Sequence, residues 1–185
     1  TGKESTMYDD NNRECKLKGY GAIEWDELSR GIFYVTMDET LRPCRVYYRR
    51  LFQSNGKYIT SRENDRDEML FEEEEGTFRV HIMKTCDKKY LLVTSTSAES
   101  SEVNYIDLQR NITSSNLVCI SPKKEKVLYR AVHCKGYWLL MTSVSSLPNF
   151  SLKACRIGGE CNVENWTDVV LSETKTAVFD GGDHT

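Results

Sequence analysis

Three times along this chain an apolar run closed by a threonine follows a tight turn. Ile32-Phe33-Tyr34-Val35-Thr36 comes after Gly31, Tyr90-Leu91-Leu92-Val93-Thr94 after Lys88-Lys89, and Trp138-Leu139-Leu140-Met141-Thr142 after Gly136. Short β-branched and aromatic runs bounded by Gly, Asn, Asp and Ser read as strands, and no stretch carries a sustained helical stripe. Nine or ten residues past each threonine a second strand opens, at Val46, Val103 or Leu152. Ahead of each hairpin lies a further short strand, Ala22–Trp25, Phe78–His81 or Tyr129–Val132. Behind it, Leu70-Phe71, Leu117–Ile120 or Val169–Leu171 supplies a fourth. The threonines stand 58 and 48 residues apart, and a four-stranded antiparallel unit repeating at about fifty residues is the mark of a propeller blade. A β-sandwich also alternates short strands with turns, but it has no need for matched loop lengths. The reading is therefore all-β, an incomplete β-propeller of about three blades plus partial ends.

The expected boundaries are a polar lead-in or end of a preceding blade over 1–18, a blade over 19–75 with an inserted loop at 52–69, blades over 76–121 and 122–172, and the start of another over 173–185. The short polar start favours a fragment of a larger ring over a small closed one. Composition narrows the partners. A net charge of −3 from 25 basic and 28 acidic residues gives no field for a phosphate backbone, so no nucleic acid is expected. No window of roughly 18 apolar residues exists to span a bilayer, and the first fifteen residues are polar, so neither a membrane span nor a signal peptide is read. Seven cysteines, an odd count at irregular spacing, fit reduced thiols in a cytoplasmic protein. His81, His133 and His184 lie about fifty residues apart, so neither a metal nor a cofactor is expected.

Chemistry is sparse. A Gly-x-Ser-x-Gly elbow is absent. His81 and His133 each follow a first strand, where a hydrogen-bonded structural role competes with a place facing a central channel. Gly158-Gly159 and Gly181-Gly182 read as turns, because no helix follows to make a phosphate cradle. Glu24, Asp26, Asp38 and Glu39 could be nominated for glycoside hydrolysis, which uses two acids about 5–9.5 Å apart, although acids are also the ordinary residues of exposed turns. The run Glu72-Glu73-Glu74-Glu75 before Gly76 reads as a solvated connection between blades.

Asp38-Glu39-Thr40-Leu41-Arg42-Pro43 is the most individual stretch, since Pro43 cannot donate to a ladder and holds Arg42 extended before it. Together with Trp25, Gly31–Thr36 and Arg45-Val46-Tyr47 it resembles the propeller of the prolyl oligopeptidase family of serine peptidases, in its oligopeptidase B branch. Ser100–Asp107 is similar to that branch's Thr-Ser-Glu-Val-x-Tyr-Leu-Asp strand, Pro148–Leu152 to its Ala-Pro-Asn-Phe-x-Leu hairpin, and Trp166 with Asp168-Val169-Val170 to its Trp-x-Asp/Glu-Leu-Ile. The resemblance runs collinearly from about Gly19 to Phe179. It departs at Cys44, where tyrosine is usual, in the long 52–69 excursion, and in a shortened loop at Thr113–Asn116.

The resemblance implies a seven-bladed ring that covers an α/β-hydrolase domain, where Ser, Asp and His perform acyl transfer on short peptides after Arg or Lys. This chain would then be a non-catalytic piece of the cover, with no catalytic residue of its own. Its partners would be the C-terminal hydrolase domain of the same protein and, through it, an oligopeptide. Glu24, His81, Arg130 and His133 would stand nearest the ring axis if they face inward, while Asp38, Glu39 and Arg42 at a hairpin tip would meet a neighbouring domain. A catalytically inactive propeller serving as a protein-binding platform is the alternative.

Overall fold

The computed structural model describes residues 6–8, 14–16, 22–28, 30–54, 57–60, 67–143, 150–159 and 161–169. All regular structure among them is strand apart from two single 3-10 turns. A small hairpin joins β1 (Thr6–Tyr8) to β2 (Glu14–Lys16). The first full sheet holds β3 (Ile23–Trp25), β4 (Gly31–Met37), β5 (Pro43–Ser54), β6 (Lys57–Thr60) and β7 (Glu68–Glu72). Sheet two, in spatial order, is β8 (Arg79–Lys84), β9 (Tyr90–Thr96), β10 (Ser101–Asp107) and β11 (Val118–Ser121); sheet three is β12 (Tyr129–Cys134), β13 (Tyr137–Thr142), β14 (Ser151–Arg156) and β15 (Thr167–Asp168). Every pairing is antiparallel; the second and third sheets are wound consecutively, the first is so through β6 while β7 pairs back to β5, and each has its first strand at an edge. The three sheets do not close on one another, so the architecture is a partial β-propeller.

Alternate side chains along a strand leave opposite faces, and in β9 both faces are covered. Leu91 and Val93 enter a core shared with Phe33, Val35, Val46 and Tyr48 of the first sheet. Leu92 enters a second core, with Tyr129, Trp138 and Leu140 of the third. That double burial is why β9 is a continuous apolar run instead of an alternating one. The third sheet has one open face. On it the paired positions Met141 and Leu152, with Val132 and Tyr137, are between about a third and a half exposed.

Three readings change in detail. Within 52–69, taken as an inserted loop, β5 continues to Ser54 and pairs with β6, and β7 already begins at Glu68; strand pairing satisfies backbone groups that a plain loop would leave to water. Pairing of the fourth strand in the third sheet is already made at Thr167–Asp168, directly after the buried Trp166, while Val170 and Leu171 of the expected strand lie outside the described residues. Cys155 and Cys161, read as thiols, are joined as a disulfide with Cα atoms 5.8 Å apart, since the turn through Gly158 folds the chain back onto β14. The glycine pair Gly181-Gly182 and the expected blade start at 173–185 lie outside the described residues.

Gly31 opens β4 where the Tyr48 ring crosses the backbone. A Cβ there would stand 2.3 Å from the Arg49 carbonyl oxygen and 2.6 Å from the ring. Gly31→Ala is expected to destabilise the fold by about 1–3 kcal/mol, read as a lowered denaturation midpoint.

Candidate functional site

Strand directions gather the loops at two ends of the arc. Hairpins 38–42 and 97–100 share one end with the connections 73–78 and 122–128, and the turns 26–30, 85–89 and 107–117 share the other. Side chains at both ends reach across from one sheet to the next.

At the first end, Asp38 folds its hairpin. Its Oδ1 accepts from the Thr40 amide at 2.9 Å, the Thr40 hydroxyl at 2.6 Å and the Arg42 amide at 3.1 Å, and its Oδ2 accepts from Arg42 Nε at 2.8 Å. The Thr40 hydroxyl, then the Arg42 contacts, hold the carboxyl well below the usual range. This cage keeps Leu41 at φ 62°, a left-handed conformation that bulky residues seldom adopt, and points Arg42 at the next sheet. Arg42 Nη1 donates to the carbonyls of Glu73, Glu75 and Phe78 at 3.2, 2.9 and 3.1 Å, and Nη2 donates to Glu73 again at 3.2 Å. Glu39 is exposed at the tip.

The connection that Arg42 grips carries Glu73, only 4% exposed. Glu73 accepts from the Ser95 hydroxyl, from Lys123 Nζ at 2.8 Å and from the Glu75 amide at 3.0 Å. Burial pushes its carboxyl up, but the Lys123 and Ser95 hydrogen bonds outweigh that and hold it below its ordinary value. Lys123 also meets Glu75 at 2.8 Å and sits 4.0 Å from the Phe78 ring centroid. The same side chains border an open cleft of about 520 Å³ with Ser97, Glu99 and Ser100. Ser97 Oγ donates to the Ser100 carbonyl and Ser100 Oγ accepts from the Lys126 amide, and no histidine lines the cleft, so it offers no activated nucleophile.

At the other end, Asp26 is fully buried. It accepts from Arg30 Nε at 2.7 Å and from the Tyr48 hydroxyl at 3.1 Å. Arg30 continues to the carbonyls of Leu108 at 2.8 Å and Arg110 at 3.0 Å in the second sheet. Glu24 is half-buried, with Oε2 3.6 Å from Lys84 Nζ; Lys84 also bonds the Trp25 carbonyl and Glu27 at 3.0 and 2.5 Å. Asp26 and Asp38 flank the seven-residue β4 at its opposite ends, a run of about 20 Å at the usual rise per residue. That is well outside the two-acid window of glycoside hydrolysis.

His133 joins sheets two and three. Its Nδ1 lies 2.7 Å from Asp87 Oδ2 and its Nε2 accepts from the Gly136 amide at 3.3 Å, which leaves the ring proton on Nδ1 facing the carboxylate. The ring packs against Tyr90 and Trp138 at 4.9 and 5.6 Å. An Asp–His pair is two parts of a nucleophile-activating relay, but here the second nitrogen is capped by backbone and the side chain is 4% exposed. Tyr129 makes a second junction, its hydroxyl donating to Ser121 O at 2.7 Å and accepting from the Val103 amide at 2.9 Å. His81 and Arg130 are exposed on the edge strands β8 and β12.

Of the residues nominated from sequence, Asp38 and Arg42 belong to one clamp, Glu24 and His133 to two others, and Glu39, His81 and Arg130 stand free of these. Arg30, Glu73, Lys123 and Tyr129 were not nominated. The spacing of Asp26 and Arg30, four apart around a turn, matches that of Asp38 and Arg42 and was the available signal. Among the described residues no group of three or more His, Cys, Asp or Glu is placed to hold a metal ion, and no helix is long and apolar enough to cross a membrane.

Consecutive antiparallel sheets, packed face to face and tied at both ends by side-chain clamps, define a segment of a β-propeller. The family model for the N-terminal β-propeller domain of prolyl oligopeptidase matches residues 5–183, and the chain belongs to that family. Protease 2 of Moraxella lacunata is 34% identical over 136 residues, covering 74% of this chain and 18% of that protein. The structure of oligopeptidase B from Leishmania major superposes with a TM-score of 0.69 at 25% identity, over 82% of this chain and 19% of that one. Oligopeptidase B from Trypanosoma brucei superposes with a TM-score of 0.66 at 20% identity, over 78% of this chain and 19% of that one. The chain thus spans about a fifth of the length of the relatives it matches.

Arg42→Ala leaves several carbonyls without their charged donor and is expected to cost about 1.5–3 kcal/mol, with Arg42→Lys intermediate because an ammonium cannot reproduce the fork. His81→Ala and Arg130→Ala should stay within about 0.5 kcal/mol of wild type; denaturant titration of all four checks the ranking. Because the folded-state pKa of Glu73 lies below its unfolded value, its contribution is complete above the unfolded pKa and is lost as pH falls through the folded one. Glu73→Gln is therefore expected to flatten the acid-side fall in denaturation midpoint below about pH 4.

Proposed function

We propose that this chain forms part of the access-controlling propeller of an oligopeptidase B-like serine peptidase that cleaves short peptides after Arg or Lys. The observation that carries the reading is the match to a peptidase propeller domain over nearly the whole chain, which itself spans only a fifth of its relatives. Cleavage falls to an α/β-hydrolase domain outside these 185 residues, and the blades act by exclusion. A rigid cover admits a flexible peptide and turns away a folded protein, so selectivity comes from access instead of from pocket contacts.

Two features support that role. The clamps at both ends of each junction resist the splaying that would let a folded substrate in, and the apolar face of β12–β14 is the kind of surface a further blade covers. Asp38, Glu39 and Arg42 occupy a hairpin tip, and in this reading Glu39 is the member left to meet a neighbouring domain while Arg42 holds the tip in place. His81 and Arg130, on edge strands, are the side chains offered to the ring axis.

The full-length polypeptide is expected to hydrolyse a short fluorogenic peptide containing Arg and to leave the same sequence uncut inside a folded protein, while the 185-residue chain alone gives no turnover. Equal rates on both substrates would remove the gate, and turnover by the chain alone would relocate the active site.

A further inference from the structure

We propose that Cys155 and Cys161 form a reversible redox site that sets the order of the outer strand of the third sheet. The second and third sheets reach their last strands by the same path. In the second, Ile106 near the end of β10 and Ile112 six residues later are both buried in the core, a 3-10 turn follows at Ser114–Asn116, and Leu117 leads into β11. In the third, Cys155 near the end of β14 is followed six residues later by Cys161, a 3-10 turn at Val163–Asn165, and Trp166 leading into β15. The positions occupied by two buried isoleucines in one sheet carry the disulfide in the next.

The substitution changes what anchors the turn. Two isoleucines hold it by packing, whatever the redox state. Two thiols fill far less volume, so with the bond broken neither a covalent link nor equivalent packing remains. Among the described residues β15 pairs at two positions, Lys153 with Asp168 and Ala154 with Thr167, where β11 is a four-residue strand. Its further ties are the Lys153–Asp168 ion pair at 2.6 Å, the Val169 amide to the Leu152 carbonyl and the seating of Trp166, and the turn before it carries the Lys124–Glu164 ion pair at 2.7 Å.

The chemistry is thiol–disulfide exchange and balances without an external oxidant. A thiolate of a low-molecular-weight dithiol attacks the Cys161 sulfur, the less buried of the two, and the Cys155–Cys161 bond breaks as a mixed disulfide forms. The second thiol of the reagent then displaces Cys161 and closes its own disulfide, while both cysteines take up protons. A low-molecular-weight disulfide drives the reverse. In a thiol-reducing compartment such as the cytoplasm, which the sequence reading favours, the dithiol form predominates and the outer strand is loose.

Hydrogen exchange of the full-length polypeptide, read by mass spectrometry on the segments 157–169 and 107–118, tests the site. Moving from glutathione disulfide to dithiothreitol is expected to speed exchange in 157–169 by about tenfold and leave 107–118 unchanged. The doubly substituted Cys155→Ile, Cys161→Ile chain, which copies the second sheet, should be protected under both conditions. Should that variant fail to fold, Cys161→Ala in glutathione disulfide is expected to exchange like the reduced wild type. Equal exchange of wild-type 157–169 under both conditions, alkylation of both cysteines after incubation with glutathione disulfide, or wild-type protection in Cys161→Ala would each overturn the proposal.

Discussion

Both faces of β9, the second strand of the middle sheet, are covered by neighbouring sheets, and much of the rest of the molecule is arranged to make that possible. A strand with no wet face must send every second side chain into one core and the remainder into the other, as Leu91 and Val93 do on one side and Leu92 on the other. Such a strand cannot alternate apolar with polar residues. Polar groups are pushed to the ends of the strands, where water is available and where the loops of adjacent sheets come close enough to be tied together.

The ties are made of charge meeting backbone. Arg42 and Arg30 each pair with an aspartate four residues away and spread their remaining donors over backbone carbonyls, those of the connection leading into the second sheet and those of the turn after β10 respectively. A guanidinium suits this task because its donors lie in a fixed plane and it stays charged. The junction of the second and third sheets is built differently, with His133 against Asp87 at one end and the Tyr129 hydroxyl shared between the Ser121 carbonyl and the Val103 amide toward the other, while Lys123 reaches from the connection after the second sheet to Glu73 in the connection before it. Ties at both ends of a junction oppose sliding and splaying of one sheet against the next.

Repetition also exposes where the blades differ. The turn that isoleucines anchor in one sheet is closed by a disulfide in the next, and among the described residues the sheet with the disulfide has the shorter outer strand. Similar backbones can carry different anchors because the turn needs only a compact, buried link, and a bond or two packed side chains both meet that need.

The periodic runs ending at Thr36, Thr94 and Thr142 were enough to establish strands, their grouping in fours and the propeller class, since each follows from short apolar runs, the turn residues that bound them and their regular spacing. The motif around Asp38–Pro43 was equally visible, but its role was not. Whether Arg42 faced another domain or the next sheet depended on where the chain lay thirty residues further on, and the carbonyls it grips carry no sequence signature. For the same reason Glu73 was indistinguishable from its neighbours in a run of glutamates until packing buried it beside Ser95 and Lys123, and the half-capped His133 looked no different from the exposed His81. Local chemistry fixes the strands and turns; which polar side chains become structural is decided only when successive sheets are packed face to face.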